Sequence, residues 1–137
     1  MDSRELEVET GSRAGLTDLT AAAASFVAET ASGGDGLLNV FVPHATAGVL
    51  IVELGSGTET DVAEALERLL PHDDRWRHRH GSRGHGADHV TPLLAAPSVT
   101  IPVVAGALAL GTWQSIALLD TNTDNPRRRV RLSYLRG

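Results

Sequence analysis

The pattern of apolar and polar positions along the chain predicts several short β-strands and two main helices. Residues 6–10 alternate apolar and polar side chains, as in a strand with one buried face. Residues 37–42 and 49–52 are short, nearly continuous apolar runs, which are typical of buried strands. Three later segments have strand character and complete the set: 98–103, 112–119 and 129–135.

Two stretches of the chain have helical periodicity. In residues 58–70 the apolar side chains recur at intervals of three and four, so they share one face, while glutamate and arginine point outward. Residues 21–28 form a second such stretch, for which Thr17 is the expected N-cap and Asp18 a favourable charge at the positive end of the helix. A short helical turn is expected over residues 88–95. Because strands and helices do not alternate regularly, this order predicts an α+β fold with mixed or antiparallel sheets.

The composition is that of one small globular domain. The chain has 137 residues, of which 42% are hydrophobic, and residues 1–137 are expected to form a single compact domain. Only 4% are aromatic, and small cores with few large side chains are often completed by oligomerisation. Cysteine is absent, which excludes disulfides and thiolate ligands and leaves histidine with aspartate or glutamate for any transition-metal site.

Charge and hydropathy restrict the partners that this chain is expected to have. The formal net charge of −5 argues against nucleic acid. The longest apolar runs are too short to span a bilayer, and the charged beginning of the chain lacks the apolar centre of a signal peptide. We therefore expect a cytoplasmic protein whose partners are neither membranes nor nucleic acids.

Histidines are concentrated in one polar loop. Five of the six lie between His72 and His89, in a stretch punctuated by glycines. Imidazole binds metals, holds phosphates and transfers protons near neutral pH, so this density indicates a site, although a solvated loop is the alternative. His78 and His80 are two residues apart and would face the same way on an extended backbone, as two ligands of one metal do. His89 lies at the start of the expected helical turn, which would hold a ligand firmly.

Other polar residues stand at the ends of predicted strands. His44 follows Pro43 between two apolar strands, where its side chain is directed either into a cleft or into the core. Glu53 and Asp120 end apolar strands, and a buried acid there needs solvent or a cationic partner. Arg128 belongs to a basic triplet that could hold a phosphate or a carboxylate. The sequence contains no zinc-protease, P-loop or dinucleotide-binding motif.

Several of these segments together resemble the YjbQ-like family. They are, in chain order, H-A-T-A-G-V at residues 44–49 with Glu53 following, W-R-H at 76–78 with His89 eleven residues later, L-L…P-S-V-T-I-P-V at 93–103, and G-A-L-A-L-G-T-W-Q at 106–114. This family is known as secondary thiamine-phosphate synthase, an activity that joins a hydroxymethylpyrimidine diphosphate to a thiazole phosphate and releases pyrophosphate. The resemblance implies a compact α+β domain, a homotrimer and a phosphorylated small-molecule substrate.

The resemblance also implies roles for individual residues. A divalent metal, zinc or magnesium, would be bound by His44, His78 and His89. Catalytic roles fall to His44 and His89, with Glu53 as a general base or as a group that orients a ligand. Substrate contacts are expected from four residues: Thr46, Gln114, Asp120 and Arg128.

The chain departs from the family pattern in the same regions. His80 and His85 are not family positions, and residues 84–85 stand where the family carries acidic residues. Residues 120–122 replace a glutamate, histidine and arginine of the family. Two further hypotheses therefore stay open: a metal-dependent hydrolase of a phosphate ester with Glu53 as base, and a trimer that binds a metal or a metabolite without catalysis.

Overall fold

Eight strands and three helices are present in the computed structural model, which describes residues 1–12 and 14–137. The strands are β1 (Asp2–Glu9), β2 (Gly15–Asp18), β3 (Gly36–Phe41), β4 (Ala47–Val52), β5 (Ser98–Val104), β6 (Ala107–Leu108), β7 (Ser115–Asp120) and β8 (Arg127–Arg136). The helices are α1 (Thr20–Thr30), α2 (Thr58–Leu69) and α3 (His85–Asp88), and a 3₁₀ turn follows at Thr91–Leu93. Over the described residues, no helix is long and apolar enough to cross a membrane.

The strands form two antiparallel sheets. The larger sheet has the order β1-β8-β3-β5-β6, and the smaller sheet has the order β2-β7-β4. Every pairing between neighbouring strands is antiparallel. The predicted α+β class, with antiparallel sheets and two main helices, is therefore confirmed, and α3 adds a single short turn.

The hydrophobic core lies where the two sheets and α1 meet. Alternate residues of β3 and β8 are buried, including Leu38, Val40 and Tyr134, because successive side chains of a strand point to opposite faces. β7 is buried over its last five residues, since both its neighbours and the rest of the core cover it. α1 adds Phe26 and Val27 to the same cluster. The buried strand expected at residues 37–42 and the alternating strand expected at 129–135 thus both contribute to the core, together with β7.

Two predicted boundaries are wrong. Thr17 does not cap the first helix, because it lies in β2 and pairs with Leu118 of β7. α1 begins at Thr20, whose backbone N–H donates to the Asp18 carboxylate at 2.8 Å. The strand expected from residue 112 begins at Ser115, because the chain turns just before it. In both places a backbone interaction outweighs the local preference of the side chains.

β4 positions the segment that carries the expected functional residues. Gly48 lies so close to the chain that a Cβ atom there would overlap the carbonyl oxygen of Ala95. The next residue, Val49, donates its N–H to the carbonyl of Ala96 at 2.8 Å. The 3₁₀ turn also contacts β4. The residues that follow α3 are therefore fixed against the smaller sheet, which gives α3 a rigid support.

Candidate functional site

Four histidines come together at α3. His78, His80, His85 and His89, here called the four-histidine group, each offer one ring nitrogen, and these nitrogens all lie within 4.8 Å of one another. The Nε2 atoms of His85 and His89 are 3.0 Å apart. Four nitrogens around a tetrahedral zinc would be about 3.3 Å apart, given Zn–N distances of about 2.0–2.1 Å. The group is therefore close to a metal-binding arrangement.

The backbone brings these side chains together in two pairs. α3 begins at His85, four residues before His89, and residues with this spacing share one face of a helical segment. His78 and His80 approach from the irregular segment before α3, with their ring centroids 4.1 Å apart. Gly84, which has a φ of +79°, forms the turn that reverses the chain between the two pairs.

His85 is the most firmly held member of the four-histidine group. Its side chain is buried, and its Nδ1 atom lies 3.2 Å from Oδ2 of Asp124 and 3.3 Å from Nδ2 of Asn122. A proton on Nδ1 donated to Asp124 leaves the Nε2 lone pair directed toward His89. Metal-bound histidines commonly have this carboxylate partner on the second ring nitrogen, which fixes the tautomer.

Electrostatics favour the uncharged imidazole at two members of the group. Desolvation, followed by the neighbouring His80 and His85, lowers the pKa of His78. Burial and the neighbouring histidines likewise lower the pKa of His89, against the opposing effect of Asp88. A neutral ring is the form that binds a metal, so these two side chains are ready to act as ligands near neutral pH.

A polar pocket of about 190 Å³ adjoins the four-histidine group. Its charged and titratable lining consists of two histidines, two arginines and two aspartates: His78, His85, Arg79, Arg83, Asp73 and Asp74. Arg83 is paired with Asp74 at 3.2 Å, whereas Arg79 donates to the backbone carbonyl of Trp76. The guanidinium of Arg79 thus keeps its positive charge at the edge of the pocket, and a small anion could be held there beside the histidines.

His72 lies next to this group in a carboxylate clamp. Its Nδ1 is 3.1 Å from Glu67, and its Nε2 is 2.9 Å from Asp88, the residue before His89. Burial opposes protonation of His72, but the hydrogen bonds to Asp88 and Glu67 outweigh it and raise the pKa of the ring. The protonated ring then ties α2 to α3.

We expect His72→Gln to reduce stability more at pH 5.5 than at pH 8.5. Because the pKa of His72 is raised by folding, its stabilising effect is complete below the unfolded pKa of about 6.5 and is lost as the pH rises through the folded pKa. The difference from the unmutated chain should be roughly 1 kcal/mol at the lower pH. Urea denaturation with a metal chelator measures it. Arg77→Gln, a change at an exposed residue of the same loop, should give no such pH dependence.

A second polar cluster is buried at the ends of β7 and β8. Asp120 and Arg128, here called the buried ion pair, have side chains that are each 3% exposed. The guanidinium donates to both carboxylate oxygens, at 2.7 and 2.9 Å. Arg128 also donates to Oγ1 of Thr46 at 3.2 Å, and the Thr10 hydroxyl donates to Asp120 at 2.8 Å. Three of the four expected substrate-contacting residues are thus together, but they bond to one another.

His44 lies beside the buried ion pair and outside the four-histidine group. Its Nε2 accepts the backbone N–H of Arg129 at 2.8 Å. Burial, followed by the charges of Arg128 and Arg129, lowers the pKa of His44. The described chain therefore does not bring His44 together with His78 and His89, the trio that was expected to bind the metal. His78 and His89 meet, and they are joined by His80 and His85 instead of His44, because His44 is bonded to the start of β8.

Glu53 and Gln114 occupy exposed positions outside both clusters. Glu53 follows β4 at the surface and is not among the residues that line the polar pocket. The Gln114 side chain accepts the backbone N–H of Gly111 at 2.8 Å, so it closes its own turn. Trp113, in the same turn, is 73% exposed. These residues have no contact with the four-histidine group in the described part of the chain.

The end of β7 connects the two clusters. Asp120 accepts the backbone N–H of Asn122 at 3.1 Å, and Asn122 lies against His85. Asp124, two residues later, bonds to His85 and also accepts the N–H of Ser82 at 3.0 Å. The buried ion pair thus supports the segment that orients His85. Asn122 and Asp124 were missed from the sequence, where only their position after a buried strand singles them out.

Comparisons with known proteins identify similar chains. The family model described as "UPF0047 protein YjbQ-like" matches residues 4–137. UPF0047 protein Rv2556c of Mycobacterium tuberculosis is 57% identical over 137 residues, which cover 100% of both chains. UPF0047 protein YugU of Bacillus subtilis is 31% identical over 130 residues, or 93% of each chain. The crystal structure of hypothetical protein APE1520 from Aeropyrum pernix K1 has a TM-score of 0.89 at 32% identity and covers 100% of both chains.

Proposed function

We propose that this chain, which belongs to the YjbQ-like UPF0047 family, binds a divalent transition metal and acts on a phosphorylated small molecule. The observation that carries the proposal is the convergence of four imidazole nitrogens within 4.8 Å. The reaction that we assign to it is the one implied by the resemblance: a hydroxymethylpyrimidine diphosphate is joined to a thiazole phosphate, and pyrophosphate leaves.

The donor set fits zinc better than magnesium. All four candidate ligands are nitrogens, and imidazole suits zinc, copper, nickel and iron, whereas magnesium prefers carboxylate, carbonyl and water oxygens. His85 and His89 would form the rigid half of the site, and His78 and His80 would complete it from the loop. A bound metal would supply positive charge to neutralise a phosphate group and its leaving oxygens.

The polar pocket gives the phosphorylated end of a substrate a place beside these histidines. Arg79 and Arg83 line it with His78 and His85. Their guanidiniums would bind the outer phosphate oxygens, and Arg83 would exchange its exposed partner Asp74 for the ligand.

We include a homotrimer in the proposal. Several large apolar side chains are exposed on the chain, among them Trp113 and Leu93, which is 82% exposed. Exposed apolar side chains of this size are typical of surfaces that associate. Sedimentation equilibrium of the purified chain tests this part, and a monomer at micromolar concentration would contradict it.

The test combines metal analysis with product analysis. The purified protein is expected to hold close to one zinc per chain, and the zinc-loaded protein to release pyrophosphate only when both the diphosphate and the thiazole phosphate are supplied. Release of phosphate without the thiazole acceptor would instead support a hydrolase. Zinc binding without turnover of either kind would support a protein that binds the metal and does not catalyse a reaction.

Two matched histidine variants locate the chemistry. His89→Ala is expected to lose both zinc and turnover, because His89 belongs to the four-histidine group. His44→Ala is expected to retain zinc, because its ring lies with the buried ion pair. If neither change alters metal content or turnover, the proposed site is wrong.

A further inference from the structure

A second pocket lies between α2 and the smaller sheet, and His72 is among the residues that line it. It encloses about 380 Å³, which is within the range of pockets that hold small molecules. Its walls come from the inner face of α2 and from the edge of the smaller sheet, and they are mainly apolar: Ala14, Leu16, Val62, Ala63, Leu66 and Leu119. This apolar pocket is separate from the polar pocket and plays no part in the proposed reaction.

Three of the five polar side chains in the described lining of the apolar pocket are acidic. Glu59, Glu64 and Glu67 line it from α2, and the other two are His72 and Thr121. Glu67 is paired with His72, whose pKa is raised by its hydrogen bonds to Asp88 and Glu67, so these two charges offset each other. Lysine and arginine are absent from that described lining. Glu59 and Glu64 therefore give the rim its net negative charge, which disfavours an anionic ligand and favours a cationic one.

The carboxylates of this rim retain free acceptor positions. Glu59 accepts one N–H, from Gly55 at 2.8 Å, and Glu64 is paired only loosely with Arg68, at 3.7 Å. An ionised carboxylate has about four acceptor sites, so each can accept further bonds from a ligand. Both side chains lie on the same helix as Val62 and Leu66, which form the apolar wall. A cation held at the rim would thus keep its apolar part inside the pocket.

We propose that the apolar pocket binds an organic amine, with an apolar or aromatic group between α2 and β7 and a protonated nitrogen at Glu59 and Glu64. Burial of the apolar group supplies most of the affinity, and the carboxylates select the charge. The inference does not depend on the metal, so it can fail while the proposed function holds, and the reverse is also true.

The test compares three probes that share a phenylethyl group and differ in the charge of the group attached to it. Binding of 2-phenylethylamine, 2-phenylethanol and 3-phenylpropionate to the full chain is measured by titration calorimetry and by ligand-observed NMR, with zinc and without it. The amine is expected to bind most tightly, the alcohol about fivefold more weakly, and the carboxylate more weakly still. Equal or tighter binding of the carboxylate, or no saturable binding of the amine below 20 mM, overturns the proposal.

Variants of α2 connect the binding to this pocket. Glu59→Gln combined with Glu64→Gln is expected to weaken the amine about fivefold and to leave the alcohol unchanged. Glu7→Gln, a change at an exposed glutamate on β1, is the matched control and should change the binding of neither probe.

Ala63→Phe, at an exposed lining position, should fill the pocket and abolish binding of both probes while circular dichroism stays unchanged. Undiminished amine binding in these pocket variants overturns the proposal. The proposal is also overturned if a second copy of the chain covers the pocket, which would be shown by dissociation of the oligomer in the Ala63→Phe variant.

Discussion

Replacing Arg128 by methionine is expected to lower the free energy of unfolding by about 3–5 kcal/mol. The guanidinium is 3% exposed and donates to both oxygens of Asp120. Methionine fills much of the same volume, but it leaves the Asp120 carboxylate charged, buried and without its cation. Removing one partner of a buried pair is more costly than removing both, because the charge that remains has lost both water and its counter-ion. Urea denaturation monitored by circular dichroism measures the change.

The double variant Arg128→Met with Asp120→Asn is the control for this explanation. Asparagine removes the orphaned charge and keeps one side-chain oxygen, which can still accept the Asn122 N–H that bonds to Oδ1 of Asp120. The Thr10 hydroxyl, which donates to the other oxygen of Asp120, can instead accept a bond from the new amide N–H. We expect the double variant to recover at least half of the lost stability. A cost below about 1 kcal/mol for Arg128→Met, or a double variant less stable than the single one, would contradict the assigned role.

This buried ion pair was visible in the sequence only as two unrelated hints. Asp120 ended an apolar strand, and Arg128 belonged to a basic triplet. β7 and β8 belong to different sheets, and the connection between them folds back so that side chains eight residues apart meet. The periodicity of the strands does not show that return. The resemblance assigned both residues to substrate binding, whereas here they bond to each other, and Arg128 also donates to Thr46.

Local patterns predicted those elements whose burial has a simple period. β8 was recognised because its side chains alternate along ten residues, and α2 because its apolar face recurs every three to four residues. β2 was missed because only four residues form it, and pairing with β7 places Thr17 in the strand rather than at a helix N-terminus. Short edge strands depend on their partner more than on their own composition.

The site was predicted in part for a comparable reason. The density of histidines and the two-residue spacing of His78 and His80 indicated a metal-binding loop, and the structure brings these side chains together. His85 was set aside because it is not a family position, although its spacing of four from His89 is that of two ligands on one helical face. That signal becomes informative only once a helix is known to begin at His85, in a segment whose glycines predict a loop.

The four members of this group should therefore contribute unequally to zinc binding. Structural zinc sites in small domains have apparent binding free energies of about 10–16 kcal/mol for four ligands, so each ligand accounts for about 2.5–4 kcal/mol. We expect His85→Ala to weaken zinc binding about 100- to 1,000-fold, because its ring is already oriented by Asp124 and needs little ordering when the metal binds. His80→Ala should cost about tenfold or less, because its exposed ring must be ordered first and water can take its place. Competition with a chromophoric chelator measures both affinities.

The variant Asp124→Asn tests how much the hydrogen bond that orients the His85 ring contributes to zinc binding, apart from the metal–nitrogen bond itself. The amide can still accept a bond from the Nδ1–H, but it lacks the charge that makes the Nε2 lone pair more basic, so zinc binding should weaken by about 10–100-fold. The cobalt-substituted protein should meanwhile keep its visible absorption, because the four nitrogens are still present. If Asp124→Asn and His80→Ala both match His85→Ala in effect, the rigid half of the site is not His85 with His89. The division of the group into a helix-borne pair and a loop-borne pair would then have no energetic meaning.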